Sequence, residues 1–272
     1  MAFELIDIGA NLTHDSFDSD REEVIARARE AGVGNMVVTG STVEVSRRAL
    51  ALAREHPGVL YATAGIHPHH AGQAPADACD AFRDLYLNPE VVAIGECGLD
   101  FFRNFSTPND QERVFRSQLE LACELGAPVF LHQRDAHDRF IGIVREYLPR
   151  LAHAVAHCFT GDGTELDECL EAGMHIGITG WICDERRGAH LKTLIGRIPR
   201  DRLMVETDAP YLLPRDLEPK PKSRRNEPAN LPHILATVAA ATGRQANELA
   251  AETTSNARRF FGLDGLSDRG QE

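Results

Sequence analysis

The chain of 272 residues is 43% hydrophobic and 26% charged, an ordinary globular balance with material for one large core or two small ones. A net charge of −12 excludes a surface that gathers nucleic acid through a general field, so a polyanionic substrate has to be caught locally, by a metal and a small basic patch. Six cysteines without a CxxC pair, and an opening MAFELIDIGANLTHD with neither a basic leader nor a long apolar run, predict reduced thiols, a cytoplasmic protein and no membrane insertion.

Short apolar runs alternate with helical patterns along most of the chain. Strands are predicted at 5–9 (LIDIG), 35–39 (NMVVT), 60–65 (LYATAG) and 91–95 (VVAIG). Four more follow at 128–132 (PVFLH), 154–158 (AVAHC), 175–179 (HIGIT) and 203–207 (LMVET). Continuous rather than alternating apolar runs suit strands covered on both faces by crossover helices. Between them, 19–31 carries Val24, Ala28 and Ala31 at helical spacing and stops at Gly32. A second helix is predicted at 108–125, after Ser106 and Thr107, with Phe115, Leu119 and Ala122 on one face and Gly126 behind it. After the eighth strand come a Pro-rich stretch, 210–228, and then two helices up to 262, the last anchored by Ala257, Phe260 and Phe261.

The strand ends recur about every 29 residues, the size of one βα unit, and eight such strands close into a barrel. The first turn, DIGANLTHD, lacks the GxGxxG that an open dinucleotide-binding sheet would carry. The predicted fold is therefore a single α/β domain over 1–262, a (β/α)8 TIM-type barrel, with a frayed tail at 263–272.

Glu96, His132, His157 and Asp208 each fall at or just past the C-terminal end of a different strand. In a barrel these four surround one mouth, where catalysis on this architecture takes place. Two imidazoles and two carboxylates converging there predict a divalent-metal site with room for a water. A lone histidine after a strand is more often structural, but four such groups at four strand ends call for a common cause.

The segments EVVAIGECGLDFFRNFSTP, PVFLHQRDAHDRF, HCFTG, GITGWICDERRG and ETDAPYLLPRDLEPKPKSRRNEPANLPHI resemble the TatD family of magnesium-dependent deoxyribonucleases, amidohydrolase-like metal hydrolases. The similarity runs from Asp7 to about Phe261. It implies Glu96, His132 and His157 as metal ligands, and Asp208 as the catalytic ligand and proton acceptor. It further implies a 3′–5′ exonuclease acting on the 3′ ends of single-stranded DNA or RNA, with one or two Mg²⁺ ions (Mn²⁺ as the alternative). No obligate protein partner is evident.

Most of the wider superfamily opens with Asp-x-His-x-His, whereas the equivalent segment here is Asp7-Ile8-Gly9-Ala10-Asn11. Losing both imidazoles disfavours a permanent zinc-like dinuclear centre and favours harder ions. Further candidates for substrate contact or ligand support are Asp7, Asn11, His67, Arg134, Glu206, Arg224 and Arg225. His67 either caps the turn at Pro68 or donates to a phosphate oxygen. Glu206 either holds a ligand or forms a buried ion pair. Phe101, Phe102 and Trp181 are candidate base-stacking surfaces or loop packing. The segment 214–228 carries a local balance of +2, and Arg224 and Arg225 there either grip phosphates or pair with the acidic surface. The competing function is hydrolysis of acyl esters or amides, such as misacylated tRNA; a non-enzymatic binding module is disfavoured by the four convergent ligands.

Overall fold

The computed structural model describes residues 4–265. Eight strands form one sheet in which every neighbouring pair is parallel and the spatial order follows the chain order. They are β1 (Leu5–Ala10), β2 (Val33–Val38), β3 (Leu60–Ala64), β4 (Val91–Asp100), β5 (Val129–Arg134), β6 (Ala154–Ala156), β7 (His175–Ile178) and β8 (Leu203–Val205). Backbone bonds Asp208 N–H to Gly9 O (2.8 Å) and Asn11 N–H to Ala209 O (2.7 Å) bring the end of β8 back to β1 and close the circle.

The covering helices are α1 (Arg21–Glu30), α2 (Val43–Glu55), α3 (Ala78–Tyr86), α4 (Pro108–Leu125), α5 (His137–Tyr147), α6 (Gly163–Glu171) and α7 (Ala189–Leu194). Helices α8 (Leu231–Thr242) and α9 (Ala246–Phe261) complete the chain. Local chemistry explains their limits. Thr107 caps α4 by accepting from Asp110 N–H, Pro108 fills its first turn, and Gly126 closes it in the left-handed region at φ 62°. Asp162 and Glu165 form a reciprocal capping box on α6.

Apolar side chains of the strands and of the helices pack together in one large cluster that holds the helices onto the sheet. A smaller cluster joins Ile6, Ile8, Phe130, Val155 and Met204 to Ala257, Phe260 and Phe261 of α9. The last helix thus packs against an apolar set drawn from β1, β5, β6 and β8.

Two sequence expectations need correction. The fourth strand does not end at 95: β4 runs on to Asp100, across a register irregularity between Gly95 and Cys97, so Glu96 lies within it. A frayed tail from 263 is also wrong at its start, because Leu263–Gly265 form a 3₁₀ turn with Leu263 buried. Residues 1–3 and 266–272 lie outside the described residues. Among the described residues no helix is long and apolar enough to cross a membrane.

Candidate metal centre

The C-terminal strand ends surround a cavity of about 830 Å³ lined by, among others, Asn11, His67, Glu96, His132, His157 and Asp208. At its floor, one carboxylate oxygen collects three imidazoles. Glu96 Oε1 lies 2.8 Å from His157 Nε2, 2.9 Å from His132 Nδ1 and 3.4 Å from His67 Nε2. The four side chains come from β4, from β5, and from just past β6 and β3, so only barrel closure brings them together.

The partners of the His157 ring assign its tautomer. His157 turns its other nitrogen, Nδ1, to Glu206 at 3.2 Å, whereas His132 Nε2 is buried 3.6 Å from Asp100 without a hydrogen bond among the described residues. A proton on His157 Nδ1 answers Glu206 and leaves a lone pair on Nε2 facing Glu96, where His132 Nδ1 also points. A lone pair and a carboxylate in one buried space call for a positive charge between them. Burial pushes both imidazoles toward the neutral form, yet the carboxylates outweigh it and raise both, His157 well above its ordinary value. A divalent cation meets the same demand, so the donor set fits a metal.

His67 differs. Its Nδ1 accepts from His69 N–H at 3.1 Å, capping the turn that begins at Pro68. Burial lowers its pKa to about 4, so near neutrality the ring is neutral and carries its proton on Nε2, facing the cavity. Its Nε2 clusters with Glu96 and His132 within metal-binding reach, while Nδ1 is engaged by the His69 N–H. Of the two sequence alternatives for His67, the structure shows the cap.

Asp208 lines the cavity just past β8 at φ 54°, and Cys158 and Asp135 beside the mouth are also left-handed. Such strained residues concentrate at functional sites. Burial, with repulsion from Glu96 and Glu206, lifts Asp208 to about 7 against the pull of His157 and of a 3.0 Å hydrogen bond from Asn11 Nδ2.

Glu206 is fully buried and accepts from Cys158 N–H at 2.5 Å besides facing His157. Gly9 and Gly177 make its space. A Cβ at Gly9 would stand 2.5 Å from Glu206 Oε2, and one at Gly177 2.5 Å from Glu206 Oε1. The space beside Gly9 on β1 is therefore filled by the Glu206 carboxylate, just past β8. Asp7, by contrast, stays below the cavity: it is fully buried and accepts from Thr207 N–H (2.9 Å) and Thr207 Oγ1 (2.5 Å), fixing the residue between Glu206 and Asp208. Burial raises its pKa to about 7.

Of the arginines named from the sequence, Arg134 lines the cavity. Neither Arg224 nor Arg225 lines the cavity. Arg225 is taken up by Asp20 (2.6 and 2.7 Å), Glu227 (2.8 Å) and Ser16 O (2.6 Å), and it stacks on Phe17. The cations that do line the mouth are Arg103, Arg134 and Arg187. Arg134 lies 4.0 Å above the Phe102 ring, and no ion pair among the described residues engages it. Of the aromatics, Phe102 is exposed and Trp181 half-buried at the mouth, while Phe101 packs against the core. Sequence reading missed Asp100, Phe105 and Tyr211. Asp100 stood in the motif GECGLD, and an uninterrupted β4 would have carried its side chain to the mouth beside Glu96.

A closed parallel barrel with a mixed imidazole–carboxylate cluster at its C-terminal mouth is the architecture of a TIM-barrel hydrolase. Residues 6–262 match the TatD related DNase family, and the chain belongs to it. It is 57% identical to the 3′-5′ ssDNA/RNA exonuclease TatD of Erwinia tasmaniensis, covering 95% of this chain and all of that one. It is 58% identical to the protein of the same name from Musicola paradisiaca, over 95% and 98% of the two chains. Among solved structures, a TatD homolog from Escherichia coli superposes with a TM-score of 0.86 at 28% identity, covering 96% of this chain and 99% of that one.

Proposed function

We propose that this chain is a divalent-metal-dependent exonuclease that removes nucleotides from the 3′ ends of single-stranded DNA and RNA in the cytoplasm, in nucleic-acid repair or turnover. The observation that carries this reading is the convergence of His132 Nδ1 and His157 Nε2 on Glu96 Oε1, beside a raised Asp208, in one cavity. The activity named for its relatives supports it. Family membership also weighs against the acyl-ester and amide alternative.

Glu96, His132, His157 and Asp208 would hold the ion, with Mg²⁺ or Mn²⁺ the candidates; the two imidazoles favour Mn²⁺ more than the carboxylates alone would. When bound, the ion supplies Lewis acidity to a phosphate oxygen and acidifies a water. Asn11 fixes one Asp208 oxygen and leaves the other to take the water's proton. The water oxygen then joins phosphorus as the bond to the leaving 3′ oxygen breaks. His67 donates its Nε2 proton to a phosphate oxygen, and Arg134 meets the next phosphate. Phe102, Phe105 and Tyr211, all exposed, offer faces on which unpaired bases stack, each worth ~1–3 kcal/mol. The six free thiols suit a reducing compartment.

The test is a 5′-labelled single-stranded oligonucleotide incubated with Mg²⁺, Mn²⁺ or a chelator. A ladder shortening from the 3′ end, abolished by chelation, is expected. Cleavage that persists in chelator, or hydrolysis of p-nitrophenyl esters without attack on the oligonucleotide, would overturn the reading.

A further inference from the structure

Away from the barrel mouth, three side chains from distant parts of the chain meet. Cys183 ends the 3₁₀ turn Gly180–Cys183 that follows β7, Asp216 sits in the segment after β8, and His233 opens α8. One ligand atom from each lies within 4.8 Å of the other two. His233 Nε2 is 2.7 Å from Asp216 Oδ1, and the Cys183 thiol donates to Thr237 Oγ1 at 3.4 Å. Asp216, His233 and Thr237 line an open cavity of about 500 Å³ that shares no residue with the mouth.

We propose that Cys183, Asp216 and His233 form a second metal site, selective for a borderline divalent cation of the Zn²⁺ class. One thiolate, one imidazole and one carboxylate is a donor set for Zn²⁺ rather than Mg²⁺. Zn–S and Zn–N bonds of ~2.3 and ~2.0 Å put tetrahedral ligands ~3.3–3.6 Å apart, within reach of the observed cluster by small side-chain rotations. Thiolate and carboxylate together balance a dication, the thiol proton leaving to solvent as the metal binds. The cavity leaves the fourth position to water. Lys192 reaches the same cavity on a four-carbon stem free to swing outward.

Such an ion would clip the segment after β8 to the turn after β7 and to α8. That segment already leans on this turn: a Cβ at Gly180 would meet Leu212 O at 2.2 Å and Pro214, and Arg215 pairs with Asp184 at 3.6 Å. It also carries Tyr211 and Leu212 into the mouth. The site therefore fixes one wall of the substrate entrance without touching the chemistry.

The test is titration of the full chain with Co²⁺, read by thiolate-to-metal charge-transfer absorbance and by displacement with Zn²⁺. One equivalent of the band is expected in the wild type and in Cys158→Ser, which removes the thiol at the mouth. Cys183→Ser should abolish the band. His233→Ala, at a half-exposed position that tolerates truncation, should need more than ~100-fold as much Co²⁺, beyond the ~10–100-fold that loss of a merely supporting partner costs. No thiolate band in the wild type, a band that survives Cys183→Ser, or one lost in Cys158→Ser would overturn the proposal.

Discussion

Glu96 Oε1 is shared by three ring nitrogens within 3.4 Å, so the centre is sensitive to single atoms. Replacing Glu96 with Gln, or His132 with Ala, should lower turnover at least ~100-fold, since loss of a ligand misplaces the Lewis acid. Thermal unfolding should be little changed, because residues at the barrel mouth serve function while stability resides in the core. Variants with wild-type activity and metal content would remove Glu96 and His132 from the centre. The two carboxylates behind the histidines act through them. Asp100→Asn and Glu206→Gln should each weaken metal affinity by ~10–100-fold, and excess metal should restore most of the lost rate. A lost rate that no metal concentration restores would mean that they act otherwise. The sign of the pH effect follows from Asp208, raised to about 7 chiefly by burial. Only the ionised form accepts a proton, so kcat/KM should rise with pH up to this value, and a bound dication shifts the limb lower. Asn11→Ala removes a hydrogen bond that favours the ionised form, so the limb should move to higher pH; a limb that stays in place would exclude Asp208 as the base.

At the scale of elements, the segment after β8 is held by a four-charge network. Arg225 and Arg27 each contact both Asp20 and Glu227, joining this segment to α1. The Arg225 hydrogen bond holds Asp20 at about 2, below its ordinary 3.8, and Arg27 and Arg225 outweigh burial to lower Glu227. A depressed carboxyl contributes stability that is present above the ordinary pKa and lost as pH falls through the folded value. Arg225→Ala should therefore cost about 1–2 kcal/mol near neutrality, a few degrees in Tm, and the difference from wild type should shrink between pH 4 and 2. An equal difference at all pH values would refute the network. The KM for oligonucleotides should respond instead to Arg134→Ala, with the log–log salt slope flattened by ~0.7 for the lost phosphate contact. If Arg225→Ala flattens that slope and Arg134→Ala does not, the assignment of the two arginines is reversed.

The whole molecule carries −12, yet three arginines line its mouth. On the proposed function, a polyanion is to be caught locally, at a cavity of about 830 Å³ that suits a chain terminus better than a duplex. Linear single strands should be degraded and circular ones spared; equal rates on both would refute the requirement for an end.

The sequence by itself determined the eight strands, their parallel order and the four groups that surround the mouth, because buried apolar runs and helix caps are local signals with a fixed period. The long α4 was legible to the residue for the same reason: Thr107, Pro108 and Gly126 mark both of its ends. What the sequence left open was decided by contacts between residues 30 to 210 positions apart. Glu206 and Asp100 acquired their histidine partners only when the barrel closed. Arg225 and Arg134 differ in the same way. The first folds back onto Asp20, some 200 positions earlier, and the second stands free over Phe102. Charge and propensity are read from neighbours in the chain, whereas a side chain's partner is set by neighbours in space.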